Sequence, residues 1–366
     1  MANLKKIEVY RARRIAALRE WMAERKLESV LLYSRENTRF FAGFTGTESY
    51  ALITAKDLYL YLDSRYIEQG KIQSSEYMIV PVTKAALTVV SEHLAEIKIK
   101  EVGLEADYLP WTMQLTLQKN NPSVKFVPLG SELAELRLIK DEWELAMLRK
   151  AIYISDEAWR QLLPTIKAGQ TENQVAAQLE HNMRVLGASA PSFTTIIASG
   201  LRSALPHGVA SDKVIEDGDS ITMDFGALYE GYCSDITRTV FLGTPNPKIL
   251  EIYNIVLKAQ TAGEKFLRAG VKGKDVDAVA RNIINDAGYG EYFGHGLGHS
   301  LGLEIHESPR CSKYCDTVLQ AGSMMTVEPG IYIPGVGGVR IEDTCLVREH
   351  DCEVITAATK EVVLLH

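Results

Sequence analysis

Two segments of the chain each carry a pair of acidic residues placed symmetrically about a turn. In the first, SITMDFGALYEGYCSDITRTVFLG, alternating apolar and polar residues flank Tyr229-Glu230-Gly231, a pattern typical of an antiparallel hairpin. Pairing about the Tyr229–Glu230 bond places Asp224 opposite Asp235. Cross-strand partners have Cβ atoms about 4.5 to 5.5 Å apart, where like charges destabilise a sheet. The pattern predicts a bound cation between the two acids, or a solvated pair whose side chains splay apart.

The same pairing sorts the hairpin residues into a polar face and a largely apolar face. Period-two alternation is the property that assigns strand residues to faces. The polar face would hold Thr222, Asp224, Asp235, Thr237 and Thr239, and the apolar face Ile221, Met223, Phe225, Ile236, Arg238 and Val240.

The second segment, MMTVEPGIYIPGVGGVRIEDTCLV, repeats this arrangement. Two strand-like runs flank Pro334-Gly335-Val336, and Glu328 and Glu342 are equidistant from Gly335. The two glutamates are therefore also expected to face each other. One such acidic pair is commonly a solvated surface feature, whereas two in one chain favour a metal site.

Histidines lie between the two hairpins in GHGLGHSLGLEIHESPR, which contains His295, His299 and His306; His207 lies upstream. In an extended segment His295 and His299 share one face, and His306 has the opposite parity. The glycines do not form a dinucleotide fingerprint, because the G-x-G-x-x-G spacing is absent. One histidine can therefore bind metal while the others contact substrate.

The four carboxylates and one imidazole form an oxygen-rich ligand set that is too large for one tetrahedral zinc ion. A pair of divalent metals fits this number of ligands. Paired metals polarise a carbonyl and activate water at neutral pH, which is the chemistry of hydrolases.

The length of 366 residues favours two domains. A charged helix near residues 5 to 26, the strand-like runs SVLLY, YALIT and LYLYL, and a helix starting in DSRYIEQG predict a small α/β domain over 1–130. The remaining chain, 131–366, contains a faint repeat at a shift of 101 residues, which chance could also produce. The repeat predicts two similar α+β halves and aligns Ala168-Gly169 with Ala269-Gly270, Val175 with Val276, Ala177 with Ala278, and Gly187 with Gly288.

Composition narrows the classes of partner and location. A net charge of −7 argues against nucleic acid or an anionic membrane as partner, and no apolar run reaches the length of a membrane span. The charged start lacks the apolar region of a secretory signal, so a cytoplasmic location is expected. The five cysteines are expected to be mostly reduced, and Cys311 and Cys315 to be structural rather than a metal pair.

The motifs MDFGA, GYCSDITRTV, GHGLGHSLGLEIHE, VEPGIY and GVRIEDT occur in this order along the chain. Through them the whole chain resembles the peptidase family of Xaa-Pro dipeptidases (prolidases), aminopeptidase P, methionine aminopeptidase and creatinase. The resemblance implies an α+β pita-bread metallopeptidase catalytic domain over 131–366, preceded by a creatinase-like α/β domain over 1–130.

The resemblance also implies a set of metal ligands. Asp224 and Asp235 would hold the first metal, with Asp235 bridging, while His299 and Glu328 would hold the second and Glu342 would bridge both. Two divalent ions per subunit are expected, with Mn²⁺ as the first choice and Co²⁺ or Zn²⁺ as alternatives.

The same resemblance gives roles to the remaining residues of the motifs. Glu328 would act as general base. His207, His295 and His306 would bind substrate and stabilise the oxyanion. Arg310 resembles a position near the free carboxylate of a dipeptide, and Arg340 is expected to steady the carboxylates at the substrate site unless it is a surface strand charge. Arg202, in GLRSALPHG, departs from the family, whose members usually carry asparagine there.

Three functions are compatible with this reading of the sequence. The first is an Xaa-Pro dipeptidase, which the large N-terminal domain and the full ligand set favour. The second is aminopeptidase P activity on longer peptides. The third, a non-catalytic pita-bread binding module, is disfavoured because such proteins usually lose ligands. By analogy with the family, the chain is expected to form a homodimer.

Overall fold

The computed structural model describes residues 2–366, with side chains from residue 7 onward, and comprises two compact units divided between Arg137 and Leu138. A short 3-10 helix, Ser131–Arg137, belongs to the first unit. Within that unit the Arg137 Nη1 donates to Asn37 Oδ1 at 3.0 Å. This segment lies just after residue 130, where the sequence predicts the boundary.

The first unit is built on a six-stranded mixed sheet with the order β4-β3-β2-β1-β5-β6. The central strand β1 is buried along its whole length. It pairs antiparallel with β2 and parallel with β5. This arrangement agrees with the α/β prediction, and the predicted first helix and three strands are confirmed. The strands are β1 Ser29–Leu32, β2 Tyr50–Thr54, β3 Leu58–Leu62, β4 Met78–Pro81, β5 Glu101–Glu105 and β6 Lys125–Leu129, and the helices are α1 Ala2–Glu24, α2 Arg35–Ala42, α3 Ile67–Gln73, α4 Ala86–Glu96 and α5 Trp111–Asn120.

The second unit contains the predicted repeat. Helix α7 (Glu172–Val185) and helix α9 (Gly273–Asp286) have the same length of 14 residues and begin 101 positions apart. Each follows a longer helix, α6 (Glu142–Leu162) or α8 (Pro247–Phe266). The backbone hydrogen bonds repeat as well, because Gly169 N donates to Ile215 O and Gly270 N to Leu319 O, both at 2.9 Å. The prediction of two similar halves is confirmed.

The strands of the second unit form four small sheets, with the orders β11-β10-β7, β20-β12-β9-β8, β14-β13-β15-β18-β19 and β16-β17. The helices of each half pack on these sheets to form an apolar core of their own, one around Leu179 and Ile221 and one around Val256 and Val327. The strands are β7 Ala190–Pro191, β8 Ile196–Ser199, β9 Ser220–Phe225, β10 Ala227–Tyr229, β11 Tyr232–Cys233, β12 Ile236–Leu242, β13 Gly298–Ser300, β14 Glu307–Cys311, β15 Met324–Val327, β16 Gly330–Ile333, β17 Gly337–Arg340, β18 Asp343–Val347, β19 Cys352–Val354 and β20 Leu364–Leu365.

The first acidic hairpin has a different register from the predicted one. Its turn is Glu230-Gly231, both with positive φ, so Tyr229 pairs with Tyr232 and Asp224 pairs with Thr237. The prediction that Asp224 lies directly opposite Asp235 is therefore wrong, because two successive positive-φ residues move the turn by one position. The shift in pairing is two residues, an even number, so the predicted polar and apolar faces are confirmed for the residues that pair in the β9–β12 ladder, which does not include Asp235.

A break in the same hairpin places Asp235 outside the ladder. A Cβ on Gly226 would lie 1.8 Å from the Ser234 carbonyl oxygen, so only glycine permits this close approach. Beyond the break β9 and β12 belong to a different sheet from β10 and β11. Asp235 occupies the corner immediately before β12.

The second acidic hairpin follows the predicted register. Gly330 pairs with Arg340 and Ile333 with Gly337, so the turn is Pro334-Gly335-Val336 as predicted. The ladder of β15 with β18 continues the same register, with Val327 opposite Asp343. Glu328 and Glu342 therefore occupy corresponding positions at the junction of the two ladders.

No helix within the described residues combines the length and apolar character that a membrane span requires.

Candidate metal centre

One cavity of about 770 Å³ in the second unit brings together every site residue predicted from the sequence. Strands of both halves and the loops between them contribute to its wall. The ten predicted residues that line it are Asp224, Asp235, His299, Glu328, Glu342, His207, His295, His306, Arg310 and Arg340.

The centre of the cavity wall is a group of metal-ligand atoms. One ligand atom each of Asp235, His299 and Glu342 lie within 4.8 Å of one another, and all three side chains are buried. His299 Nε2 also lies 3.3 Å from Glu328 Oε1 and 3.5 Å from Asp235 Oδ2. Asp224, on β9, is the remaining predicted ligand in the same cavity.

His299 has the protonation state of a metal ligand. Burial lowers its pKa to about 3, so the ring is neutral at ordinary pH. Its Nδ1 lies 3.0 Å from the Ser300 carbonyl oxygen, which makes Nδ1 the protonated nitrogen. Nε2 therefore presents a lone pair toward the surrounding carboxylates.

The carboxylates of the cavity are destabilised as anions when no cation is bound. Burial, followed by the charges of its acidic neighbours, raises the pKa of Asp235 well above its usual range, and the same causes raise the pKa of Glu342. Burial raises the pKa of Glu328 to about 7. The acids repel one another in a desolvated space, which is the condition that a bound cation relieves.

Two carboxylate oxygens provide a direct test of whether a metal fits. Among the described residues, no hydrogen-bond donor reaches the buried Asp224 Oδ1 or Glu342 Oε1. Buried polar atoms normally have a partner. These oxygens and the Nε2 lone pair of His299 are all acceptors without a donor in the part of the chain that the structure describes. Such a set of oxygen and nitrogen atoms fits a divalent cation as its partner.

Arg340 and a threonine hold the carboxylates in place. Arg340 Nη2 lies 2.5 Å from Asp224 Oδ2, and its Nε donates to Thr237 Oγ1 at 2.9 Å. The same Thr237 hydroxyl donates to Glu342 Oε2 at 2.7 Å. One buried guanidinium therefore links the acids of the two hairpins. The alternative that Arg340 is a surface charge is wrong, because the residue is 3% exposed.

His295 is held by residues of the second half. Arg281 Nη2 donates to the His295 carbonyl oxygen at 2.7 Å, and Arg281 is paired with the buried Asp277 at 2.7 Å. Asp277 Oδ1 also accepts from Leu297 N at 3.1 Å. Burial lowers the pKa of His295 to about 4, so this ring is also neutral.

His306 packs against the candidate ligand His299, with ring centroids 4.5 Å apart. The next residue, Glu307, pairs with Lys140 at 2.7 Å, and their side chains are 3% and 0% exposed. Partial desolvation lowers the pKa of His306. A buried ion pair therefore anchors the segment that carries His306.

Comparison with known proteins assigns the chain that contains this cavity to a protein family. Residues 146–349 match the model of metallopeptidase family M24, and residues 14–139 match that of the Creatinase/Prolidase N-terminal domain. The chain belongs to metallopeptidase family M24. The fold is accordingly a creatinase-type N-terminal domain followed by an M24 domain of pita-bread type.

Relatives align with the M24 chain along nearly its whole length. An Xaa-Pro dipeptidase of Pyrococcus horikoshii is 42% identical over 94% of this chain and 97% of its own. The structure of an Xaa-Pro dipeptidase from Bacillus anthracis superposes with a TM-score of 0.93 at 45% identity, covering 97% of this chain and 100% of that one. An X-Pro aminopeptidase from Thermotoga maritima superposes with a TM-score of 0.91 at 40% identity, covering 96% and 99%.

Tyr332 is a residue of the M24 site that the sequence reasoning missed. Its hydroxyl lies 3.0 Å from His295 Nε2 and accepts from Arg340 Nη1 at 2.7 Å. A signal for it existed, since Tyr332 lies on the same face of β16 as Gly330, the cross-strand partner of Arg340. Thr326 was also missed, and it donates to Glu328 Oε1 at 3.2 Å.

Proposed function

We propose that this protein is a dinuclear-metal hydrolase that cleaves the peptide bond before proline in Xaa-Pro dipeptides. The observation that carries the proposal is the buried group of Asp235, His299 and Glu342, whose ligand atoms lie within 4.8 Å of one another in the cavity. Relatives of similar length that are named Xaa-Pro dipeptidase support the substrate class.

Five side chains would hold two divalent cations: Asp224, Asp235, His299, Glu328 and Glu342. When bound, the cations supply Lewis acidity to the scissile carbonyl and make water nucleophilic at neutral pH. We propose Mn²⁺ as the metal, with Co²⁺ or Zn²⁺ as alternatives, because sites with oxygen and imidazole ligands accept all three. Metal analysis of the protein as isolated tests this choice.

Glu328 is the general base in this proposal. Its side chain is 17% exposed and reaches the cavity, where the carboxylate can meet the attacking water. The carboxylate would accept a proton from the attacking water and deliver it to the proline nitrogen as the peptide bond breaks. Thr326 holds one oxygen of this carboxylate and so orients it.

The three remaining histidines and two arginines would bind substrate. His207, His295 and His306 line the cavity. His207 and His306 would donate hydrogen bonds to the substrate carbonyl as it becomes an oxyanion, whereas His295 Nδ1 donates to the Gly296 carbonyl oxygen at 2.8 Å and its Nε2 faces the Tyr332 hydroxyl. Arg310, opposite His299 across the β13–β14 ladder, would pair with the free carboxylate of a dipeptide. Arg340, which holds Asp224, keeps the acids in place and lines the substrate cavity.

The direct test is hydrolysis of matched peptides by metal-loaded protein. Purified protein with Mn²⁺, Co²⁺ or Zn²⁺ is assayed on Xaa-Pro dipeptides, on the matching Xaa-Ala dipeptides and on longer peptides beginning with Xaa-Pro. We expect hydrolysis of the Xaa-Pro dipeptide only in the presence of metal and little hydrolysis of Xaa-Ala. Absence of cleavage before proline with every metal would exclude the proposal.

A second candidate function is X-Pro aminopeptidase activity on longer peptides, which the Thermotoga maritima structure supports. The same assay separates the two functions, because a dipeptidase prefers the dipeptide and an aminopeptidase the longer peptide. A non-catalytic role predicts no activity in either arm. Glu328→Ala beside wild type is the control, and equal activity of the two would argue against Glu328 as the base.

We also propose that the protein is a cytoplasmic homodimer. The dimer follows from analogy with the family, and the five free cysteines support a reducing compartment. Light scattering and cell fractionation test these points. A stable, fully active monomer would contradict the first, and a secreted protein the second.

A further inference from the structure

A second buried carboxylate, outside the candidate metal centre, organises a loop of the M24 domain. The side chain of Glu172, the first residue of α7, has no exposed surface. It accepts hydrogen bonds from Ser199 N at 2.8 Å and Ser199 Oγ at 2.9 Å. It also accepts from Ser211 N at 3.2 Å and Ser211 Oγ at 2.7 Å. One carboxylate therefore joins two chain positions twelve residues apart in sequence.

The segment between Ser199 and Ser211 is the loop that carries His207. Strand β8 ends at Ser199, and the chain then makes the short 3-10 helix Gly200–Ala204 before reaching His207. His207 and Val209 line the candidate substrate cavity. Because both ends of the loop bind Glu172, this carboxylate closes the loop at its base.

Arg202 connects that base to the part of the loop beside His207. Its Nη1 forms an ion pair with Glu172, and its Nη2 donates to the Val209 carbonyl oxygen at 3.0 Å. The guanidinium thus holds the chain two residues after His207 against the buried acid. Asparagine, the residue that the resembled family usually carries here, has one short amide in place of the long forked guanidinium.

The opposite side of the loop is held by the metal-site residue Arg340 and by β17. Arg340 Nη1 donates to the Pro206 carbonyl oxygen at 3.1 Å, and Gly338 N donates to Ser203 Oγ at 2.8 Å. His207 therefore lies between Pro206, fixed from the metal side, and Val209, fixed through Arg202. His207 itself is exposed.

We propose that Arg202 is a positioning residue that holds His207 in the substrate cavity, acting through Glu172 and the Val209 carbonyl. The inference deepens the proposed function, on which its kinetic arm rests. Arg202 touches no candidate metal ligand in the contacts described, and without it Glu172 keeps its four hydrogen bonds from Ser199 and Ser211, so its removal is expected to leave the fold and the metals in place. The loop then samples positions in which His207 no longer reaches substrate.

The kinetic test is a double-mutant cycle between Arg202 and His207. In Arg202→Met we expect kcat/KM on an Xaa-Pro dipeptide to fall about tenfold, with metal content unchanged. In a His207→Ala background the same substitution should change kcat/KM less than about twofold, because the histidine through which Arg202 acts is gone. Arg202→Lys, which keeps the charge and one contact, should recover part of the loss.

A second readout does not depend on catalysis. Hydrogen exchange of the metal-free protein should show faster exchange of the amides between residues 200 and 210 in Arg202→Met, with the metal-site strands unchanged. Arg149→Met is the matched control, since Arg149 makes a bidentate pair with Glu353 on the surface away from this loop. If Arg202→Met does not fold, Arg202→Asn replaces it in both experiments.

The outcomes separate the two proposals. Additive losses in the cycle, or unchanged exchange of the loop, would overturn the role of Arg202. A wild type without proline-directed hydrolysis would overturn the proposed function, while the exchange experiment would still decide whether Arg202 holds the loop.

Discussion

The two halves of the M24 domain hold their histidine loops with the same kind of device in different places. In the first half a buried acid on α7, Glu172, pairs with Arg202 of the loop that carries His207. In the second half a buried acid on α9, Asp277, pairs with Arg281 of the same helix, and Arg281 holds the His295 carbonyl.

The difference lies in where the arginine is attached. Arg281 is anchored on a helix and its side chain is 11% exposed, so the acceptor for the His295 loop is part of the rigid core. Arg202 belongs to the loop it holds and its side chain is 28% exposed. The first loop can therefore leave its anchor at lower cost, whereas the second is fixed to the helix. The comparison indicates an adjustable His207 loop in the first half and a rigid His295 loop in the second.

The largest expected effect tests whether both halves are needed for the metal centre. Asp235→Asn removes a candidate ligand of the first half and Glu342→Gln one of the second. Each should lower kcat by about a thousandfold or more and reduce bound metal, because the metal pair supplies both the electrophile and the nucleophile. Metal analysis and single-substrate kinetics measure this. Asp275→Asn, exposed on α9, is the control, and full activity in either ligand variant would break the two-half description.

The next effect concerns the buried arginine of the second half. Arg281→Met leaves Asp277 buried without its partner and should destabilise the protein by about 3 to 5 kcal/mol in urea unfolding. Its loss of kcat/KM should exceed that of Arg202→Met, because the His295 carbonyl loses its donor directly. Arg281→Lys serves as the conservative comparison. Equal effects of Arg281→Met and Arg202→Met would remove the distinction between a rigid and an adjustable loop.

A smaller effect appears in the pH dependence of stability of the metal-free protein. The pKa of Glu328 is about 7 in the folded protein and 4.5 in the reference state, so its contribution to stability is present below pH 4.5 and is lost as pH rises through 7. Glutamine does not titrate. Glu328→Gln should therefore gain stability relative to wild type between pH 5 and pH 8, on the order of 3 kcal/mol.

Urea unfolding in the presence of a chelator measures this gain. Saturating Mn²⁺ should reverse its sign, because the cation stabilises the ionised wild-type carboxylate. Parallel stability curves of the two proteins without metal would show that burial does not raise the pKa of Glu328 in the folded protein.

Much of the second unit could be predicted because its information is local and periodic. Alternation assigned the faces of β9 and β12, and the shift of 101 residues located α7 and α9. The register of the second hairpin could be predicted because the turn residues Pro334-Gly335-Val336 lie at its centre. Hydrophobic period and turn chemistry depend on residues that are neighbours in the chain, so both can be read from the sequence.

The features that escaped prediction depend on single backbone angles or distant contacts. Glu230 has a φ of 46°, a conformation that is uncommon for glutamate and could not be predicted from its residue type. This turn shifts the strand pairing of the first hairpin by two residues. Tyr332 and Thr326 belong to the site through side-chain hydrogen bonds, and the sequence does not show which residues those side chains contact. The pair of Asp277 with Arg281 has helical spacing, but its link to His295 appears only when the loop is packed.

The smallest expected effect tests whether the two halves are equivalent outside their loops. Gly169 has a φ of 90° and Gly270 a φ of 82°, and each donates its backbone N–H at 2.9 Å to a loop carbonyl, that of Ile215 or Leu319. A Cβ at either position would meet nothing within 4 Å, so substitution by alanine changes only the backbone energy. Gly169→Ala and Gly270→Ala should each cost about 1 to 2 kcal/mol, the strain of an L-residue at positive φ. Thermal or urea unfolding measures the loss of stability in each variant. Losses that differ by more than about 1 kcal/mol would show that the two turns share a backbone conformation but not the same contribution to stability.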